Sequence, residues 1–209
     1  MNEQHITFSS GDLTLEGLLA VPAGNVAARA AVVCHPHPAY GGSMDNNVVE
    51  AILDAMWKIG YATLRFNFRG VGASEGEYDG GEGEGDDAAA AVGFLARQPG
   101  VRADGAVLAG YSFGAMVALL RGLPMADVAR IVAVALPVVT AAAAALAAAK
   151  PVLLVSGDRD SYSPVAGLKS LAERLGKAAR LEIIPGADHF FGGYEPALSR
   201  AIVAALAGR

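Results

Sequence analysis

Short, continuous apolar runs alternate along this chain with stretches of helical spacing, and that alternation leaves few folds open. The runs are Ala30–Cys34, Tyr61–Phe68, Gly105–Ala109, Ile131–Leu136 and Val152–Val155, followed by the less continuous Arg180–Ile184. A strand that is apolar at every position has both faces covered, as in a parallel sheet flanked by helices. Between the runs, Val48, Ile52, Leu53 and Met56 mark one face of a helix over Val48–Trp57. Asp87–Arg97, Phe113–Leu120, Val165–Leu175 and Pro196–Leu206 complete the helical set. The order predicts an α/β fold: one doubly wound, mostly parallel sheet with helices on both faces. Ahead of the series, Ile6–Phe8 and Leu13–Ala20 flank Gly11-Asp12 and predict an antiparallel hairpin on the sheet edge. With no internal repeat and no long linker, residues 1–209 read as a single domain.

Composition narrows the function classes. The residues are 53% hydrophobic and 18% charged, which suits a packed core rather than a disordered chain. The net charge of -5 argues against nucleic acid, which needs a basic face. The single cysteine, Cys34, rules out an internal disulfide and reads as a buried strand residue. The polar start lacks the basic-then-apolar pattern of a secretory signal, so a cytoplasmic location is expected. Ile131–Ala149 approaches the roughly 20 residues of a membrane span. Pro137 interrupts it, however, and alanine is only weakly apolar. It reads as a buried strand, then a short helix or loop over Ala141–Ala149, with no membrane association.

Gly70–Gly85 holds seven glycines, and seven acidic residues fall between Glu75 and Asp87. No Gly-Lys-Ser/Thr follows, and carboxylates repel phosphate, so a phosphate cradle is excluded. The segment reads as a solvated loop whose last acids, Asp86 and Asp87, sit at a helix N-terminus.

The chemistry concentrates at Gly110-Tyr111-Ser112-Phe113-Gly114, which follows an apolar strand and precedes an apolar helix. Gly-x-Ser-x-Gly in that context is a nucleophile elbow: glycines flanking a sharp turn make room for it and leave the serine hydroxyl exposed. The helix N-terminus behind it favours developing negative charge, with the Phe113 N–H as a natural oxyanion donor. A serine needs a base, and the base an orienting acid. His189 is the only histidine after Ser112. The acid comes from Ser156-Gly157-Asp158-Arg159-Asp160, where Asp160 is preferred and Asp158 is read as a turn residue accepting N–H groups. Asp188 is too close to His189 in sequence to grip its far ring nitrogen.

These motifs resemble those of the α/β-hydrolase superfamily over nearly the whole chain. Gly110–Gly114 is similar to its elbow, Gly157–Asp160 to its Gly-x-x-Asp acid segment, and Arg69-Gly70-Val71-Gly72-Ala73-Ser74-Glu75-Gly76 to its glycine-serine loop. Cys34-His35-Pro36-His37-Pro38 with Tyr40-Gly41-Gly42 resembles a subgroup of small, lidless bacterial hydrolases. Where most relatives carry His-Gly, this chain has His35-Pro36. The resemblance implies His37 N–H as the second oxyanion donor, and neither cofactor nor metal. His35 and His37 lack the further ligands of a zinc site and read as ties for the active-site loop. The expected activity is hydrolysis of small carboxylic esters; thioester, amide or acyl-transfer chemistry, or ligand binding without catalysis on the same scaffold, are the alternatives. A homodimer stays open. Only 15 residues, Pro137–Pro151, separate two strands where relatives insert a cap. They suffice for one crossover helix, and the glycine content of Pro38–Asn46 and Gly70–Gly85 makes these loops poor walls for a deep apolar tunnel, which predicts an open, shallow pocket and a preference for short acyl groups.

Overall fold

The computed structural model describes residues 1–24, 26–137 and 150–207. The strands are β1 (Gln4–Ser10), β2 (Leu13–Ala20), β3 (Arg29–Cys34), β4 (Tyr61–Phe66), β5 (Ala106–Tyr111), β6 (Val128–Val134), β7 (Val152–Gly157) and β8 (Ala179–Ile184). The α-helices are α1 (Asn47–Lys58), α2 (Glu82–Ala96), α3 (Phe113–Gly122), α4 (Val165–Leu175) and α5 (Glu195–Ala207). The strands form one sheet in the order β1-β2-β4-β3-β5-β6-β7-β8. β1 and β2 pair antiparallel, as do β2 and β4, and every later pairing is parallel. The expected edge hairpin is therefore present. β4 ends at Phe66, two residues before the apolar run does. β6 is displaced toward the N-terminus of its run and stops before Ala135, whose φ of 49° turns the chain.

Period-two alternation explains why these strands are apolar throughout. In β3, Ala30, Val32 and Cys34 face α2, α3 and α4, while Ala31 and Val33 face α1 and α5. β5, β6 and β7 divide in the same way, so two apolar layers sandwich the sheet. Helix α1 begins where the Asn46 side chain accepts from the Val48 N–H at 2.9 Å, capping an orphan donor.

One sequence expectation is corrected here. The acidic end of the glycine-rich segment is helix, not loop: α2 starts at Glu82, five residues before the expected Asp87. Glu84, in its first turn, accepts from the N–H groups of Gly81 and Asp79. Asp87 is consequently inside the helix and fully buried. Its carboxylate accepts from Ser10 Oγ, the Arg69 N–H and the Arg69 guanidinium at 2.7–3.0 Å. The charge that composition assigned to solvent is a buried, paired one.

Among the described residues no helix is long and apolar enough to cross a membrane, and there is no cap domain. The expected short helix or loop over Ala141–Ala149, and most of the Pro137–Pro151 crossover, lie outside the described residues. In the strand order, β3 leads to β4 on one side while β5 leads to β6 on the other, so their loops part and leave a crevice at the carboxyl ends.

Candidate active site

Ser112 stands at that crevice, between β5 and α3, with φ 54° and ψ -115°. That positive φ is costly for a residue with a Cβ and marks a backbone held by its surroundings. The flanking glycines show what holds it. A Cβ on Gly110 would come within 2.1 Å of the Gly114 carbonyl oxygen, and one on Gly114 within 2.3 Å of the Cys34 carbonyl oxygen. Only glycine at both positions lets the turn close against β3.

His189 arrives from the loop after β8, with Nε2 3.1 Å from Ser112 Oγ and Nδ1 2.8 Å from Asp160 Oδ2. A carboxylate only accepts, so Nδ1–H donates to Asp160 and Nε2 is left to accept from the serine hydroxyl. The Tyr111 hydroxyl donates to the His189 carbonyl at 3.0 Å and fixes that loop to the elbow. Asp160, after β7, also accepts from the N–H groups of Tyr162 and Ser163, both at 2.9 Å, and from Ser156 Oγ at 3.3 Å. Burial pushes its carboxyl up, but the hydrogen bond and charge of His189 and the two N–H groups more than offset this and hold it below its ordinary range. Asp158 instead accepts from the Gly186 N–H at 2.7 Å, and Asp188 from the N–H groups of Phe190 and Phe191. Both serve turns, the role the sequence suggested for Asp158.

The backbone N–H groups of Phe113 and His37 have no acceptor among the described residues, and both residues border the same cleft as Ser112. His35 is fully buried. Its Nδ1–H donates to the Pro36 carbonyl at 2.6 Å and its Nε2 accepts from the Phe68 N–H at 3.0 Å. Both ring nitrogens are thus engaged by backbone, and burial lowers the pKa to about 4. Cys34 is buried too, and burial with the nearby Asp87 charge pushes its thiol far above the usual range. All the sequence-predicted site residues meet at one place; Asp160 stands behind His189 rather than in the wall.

The chain as a whole is similar to known proteins. A family model described as X-Pro dipeptidyl-peptidase (S15 family) matches residues 14–164, and one for TAP-like proteins matches 132–207. An α/β serine hydrolase homologue from Coxiella burnetii is 33% identical, with a TM-score of 0.89 over 99% of this chain and 98% of that one. This chain belongs to the α/β-hydrolase superfamily. Another such hydrolase, from Xanthomonas campestris and without a lid, is 30% identical, with a TM-score of 0.84 over 99% of this chain and 94% of that one. An uncharacterized protein of Rickettsia prowazekii is 35% identical over 94% of this chain and 86% of its own length.

The walls of this hydrolase's cleft, about 870 Å³, were not foreseen. Tyr40 and Tyr78 come from the glycine-rich loops, and with Tyr162 and Phe190, from the loops after β7 and β8, they join Phe113 and Met116 around Ser112. In the loops after β3 and β4, glycine sets the path while the few large residues between make the surface of an open cleft. An aromatic set among glycines beside a motif was the available signal.

Proposed function

We propose that the protein hydrolyses carboxylic esters of compact acids through a Ser112–His189–Asp160 triad. The observation that carries this reading is the continuous hydrogen-bond chain from Ser112 Oγ through His189 to Asp160, beginning on a strained elbow at a helix N-terminus. In this mechanism Ser112 Oγ attacks the carbonyl carbon as its proton passes to His189 Nε2. The carbonyl oxygen becomes an oxyanion, stabilised by the N–H groups of Phe113 and His37. His189 then gives its proton to the departing alcohol oxygen as the C–O bond breaks, leaving an acyl-serine. Water repeats the sequence: His189 accepts its proton, and the acid and free Ser112 are released. Asp160 stays ionised and holds the imidazole in the required tautomer. None of these steps draws on a cofactor; the partner is a small-molecule ester.

The S15 match raises amide hydrolysis as an alternative. An enzyme releasing an X-Pro dipeptide must hold a protonated amino terminus, and among the described residues no carboxylate lines the cleft. The ester reading is favoured on that ground. The test is a fluorophosphonate probe together with p-nitrophenyl acetate and matched thioester and anilide substrates. Labelling at Ser112 and ester turnover are expected, and absence of both would sink the proposal.

A further inference from the structure

Six large apolar residues are exposed among the described residues, and four of them, Tyr40, Tyr78, Tyr162 and Phe190, ring the mouth of this one cleft. They form two groups. Tyr162 and Phe190 pack on the His189 ring, at centroid distances of 4.7 and 5.6 Å. Because His189 protonates the departing oxygen, the alcohol part of an ester lies on that side. The acyl part is left with the other group, built around His37, whose ring lies 4.8 Å from Tyr40, 4.9 Å from Tyr78 and 4.9 Å from Phe113.

That second group also carries an oriented donor. The Ala39 N–H donates to His37 Nδ1 at 3.2 Å, so the His37 proton is on Nε2. Nε2 lies 3.2 Å from the Tyr78 hydroxyl oxygen and donates to it. Burial lowers the His37 pKa, against a weaker push from Glu84, and so favours the neutral ring. With its oxygen taken as acceptor by His37, the Tyr78 hydroxyl has its own hydrogen to give to a ligand in the cleft. Among the described residues no Asp, Glu, Lys or Arg lines this space, so nothing there recognises a charged acyl group.

We infer that the acyl group this site selects is a neutral aromatic one, stacked against the His37–Tyr40–Tyr78 cluster, with a ring substituent that accepts a hydrogen bond from Tyr78. The inference rests on the ester-hydrolase reading and deepens it. Rings pack on rings better than saturated groups of the same size do, through the attraction between the electron-rich face of one and the edge of another. The donor adds discrimination among aromatic acids, since a ring substituent that accepts from the Tyr78 hydroxyl gains a hydrogen bond that an unsubstituted ring lacks.

The experiment compares p-nitrophenyl esters of phenylacetic, cyclohexylacetic and 4-methoxyphenylacetic acids, which share a leaving group and an unconjugated carbonyl. For the wild type, kcat/KM should favour phenylacetyl over cyclohexylacetyl by about tenfold, and 4-methoxyphenylacetyl over phenylacetyl by a further ~3- to 10-fold. Tyr78→Phe keeps the ring and should erase the methoxy increment while keeping the aryl preference. Tyr78→Ala should lose both. Thermal unfolding of each variant checks that the loop change leaves the fold intact. If the cyclohexyl and phenyl esters are turned over equally, the inference is overturned and the hydrolase reading stands. A methoxy increment that survives in Tyr78→Phe overturns the donor role. If no ester, p-nitrophenyl acetate included, is turned over and the fluorophosphonate does not label, the hydrolase reading itself has failed.

Discussion

At the scale of single residues, Ser112 combines the role of proposed nucleophile with backbone strain, and the two can be separated. Ser112→Ala keeps a Cβ at φ 54° and should abolish turnover with little change in stability. Ser112→Gly should abolish turnover as well, yet raise stability by about 1 kcal/mol, because glycine adopts this backbone without cost. In a chain of this size that is a rise in Tm of roughly 2–4 °C, read by calorimetry. The two aspartates after β7 make a second contrast. Asp160→Asn cannot accept the Nδ1 proton as a carboxylate does and should lower kcat by on the order of 10⁴. Asp158→Asn can still accept from Gly186 and should cost only a few-fold in the same assay. Their placement, Asp160 against His189 and Asp158 in a turn, was legible in the sequence, because each follows from chain order and strand ends. His35 was legible only as a tie for the loop; its pH consequence needed the burial. Its folded pKa of about 4 lies below the usual 6.5, so the unfolded chain binds the proton first as pH falls. The stability it contributes is full above pH 6.5 and is lost toward pH 4, about 3 kcal/mol in all. Urea denaturation of the wild type and His35→Gln at pH 7 and pH 4 should show their difference shrinking by that order at the lower pH. An unchanged difference would mean that His35 is not held neutral.

At the scale of elements, strands and helices were readable wherever one physical cause dominated. β3, β5, β6 and β7 are covered on both faces, so their apolar runs are unbroken, and α1 carries a capping asparagine and a clear apolar face. The start of α2 was not readable. Its first residues, Glu82-Gly83-Glu84-Gly85, are glycine-rich and acidic, a composition that belongs to loops. Tertiary partners override it: Arg69 and Arg121 lie against Gly83 and Gly85, where any Cβ would meet their side chains, so glycine there serves packing rather than flexibility. Asp87 is the keystone of the same region, joining β1 through Ser10 to the Arg69 loop. Removing one partner of a buried pair leaves the other uncompensated. Asp87→Ala should therefore destabilise the protein by about 3 kcal/mol in urea denaturation, whereas Asp86→Ala, one residue away and exposed, should cost less than about 0.5 kcal/mol.

At the scale of the whole molecule, the sheet places the loops after β3, β4, β5, β7 and β8 at one end, and each supplies a residue of the site or of its walls. The strand order brings together residues as far apart as His37 and His189; chain order pointed to His189, and the family resemblance to His37. What order could not reveal was the surface between them, made by side chains at loop tips. That surface is about 870 Å³ of cleft open to solvent, with no cap domain above it among the described residues. A linear acyl chain gains about 0.8 kcal/mol per methylene only while each methylene leaves water. Beyond the cleft edge, further carbons stay hydrated and add nothing to transition-state binding. In a series of p-nitrophenyl alkanoates, kcat/KM should therefore rise to a chain of roughly six carbons and then level, at ~2-fold or less per added pair of carbons. Activation at an oil–water interface requires an element that moves aside on contact with the interface. The rate should accordingly pass the solubility limit of the substrate without a jump. A climb that continues to twelve carbons, or a step at emulsification, would mean that a closing element covers the cleft in solution.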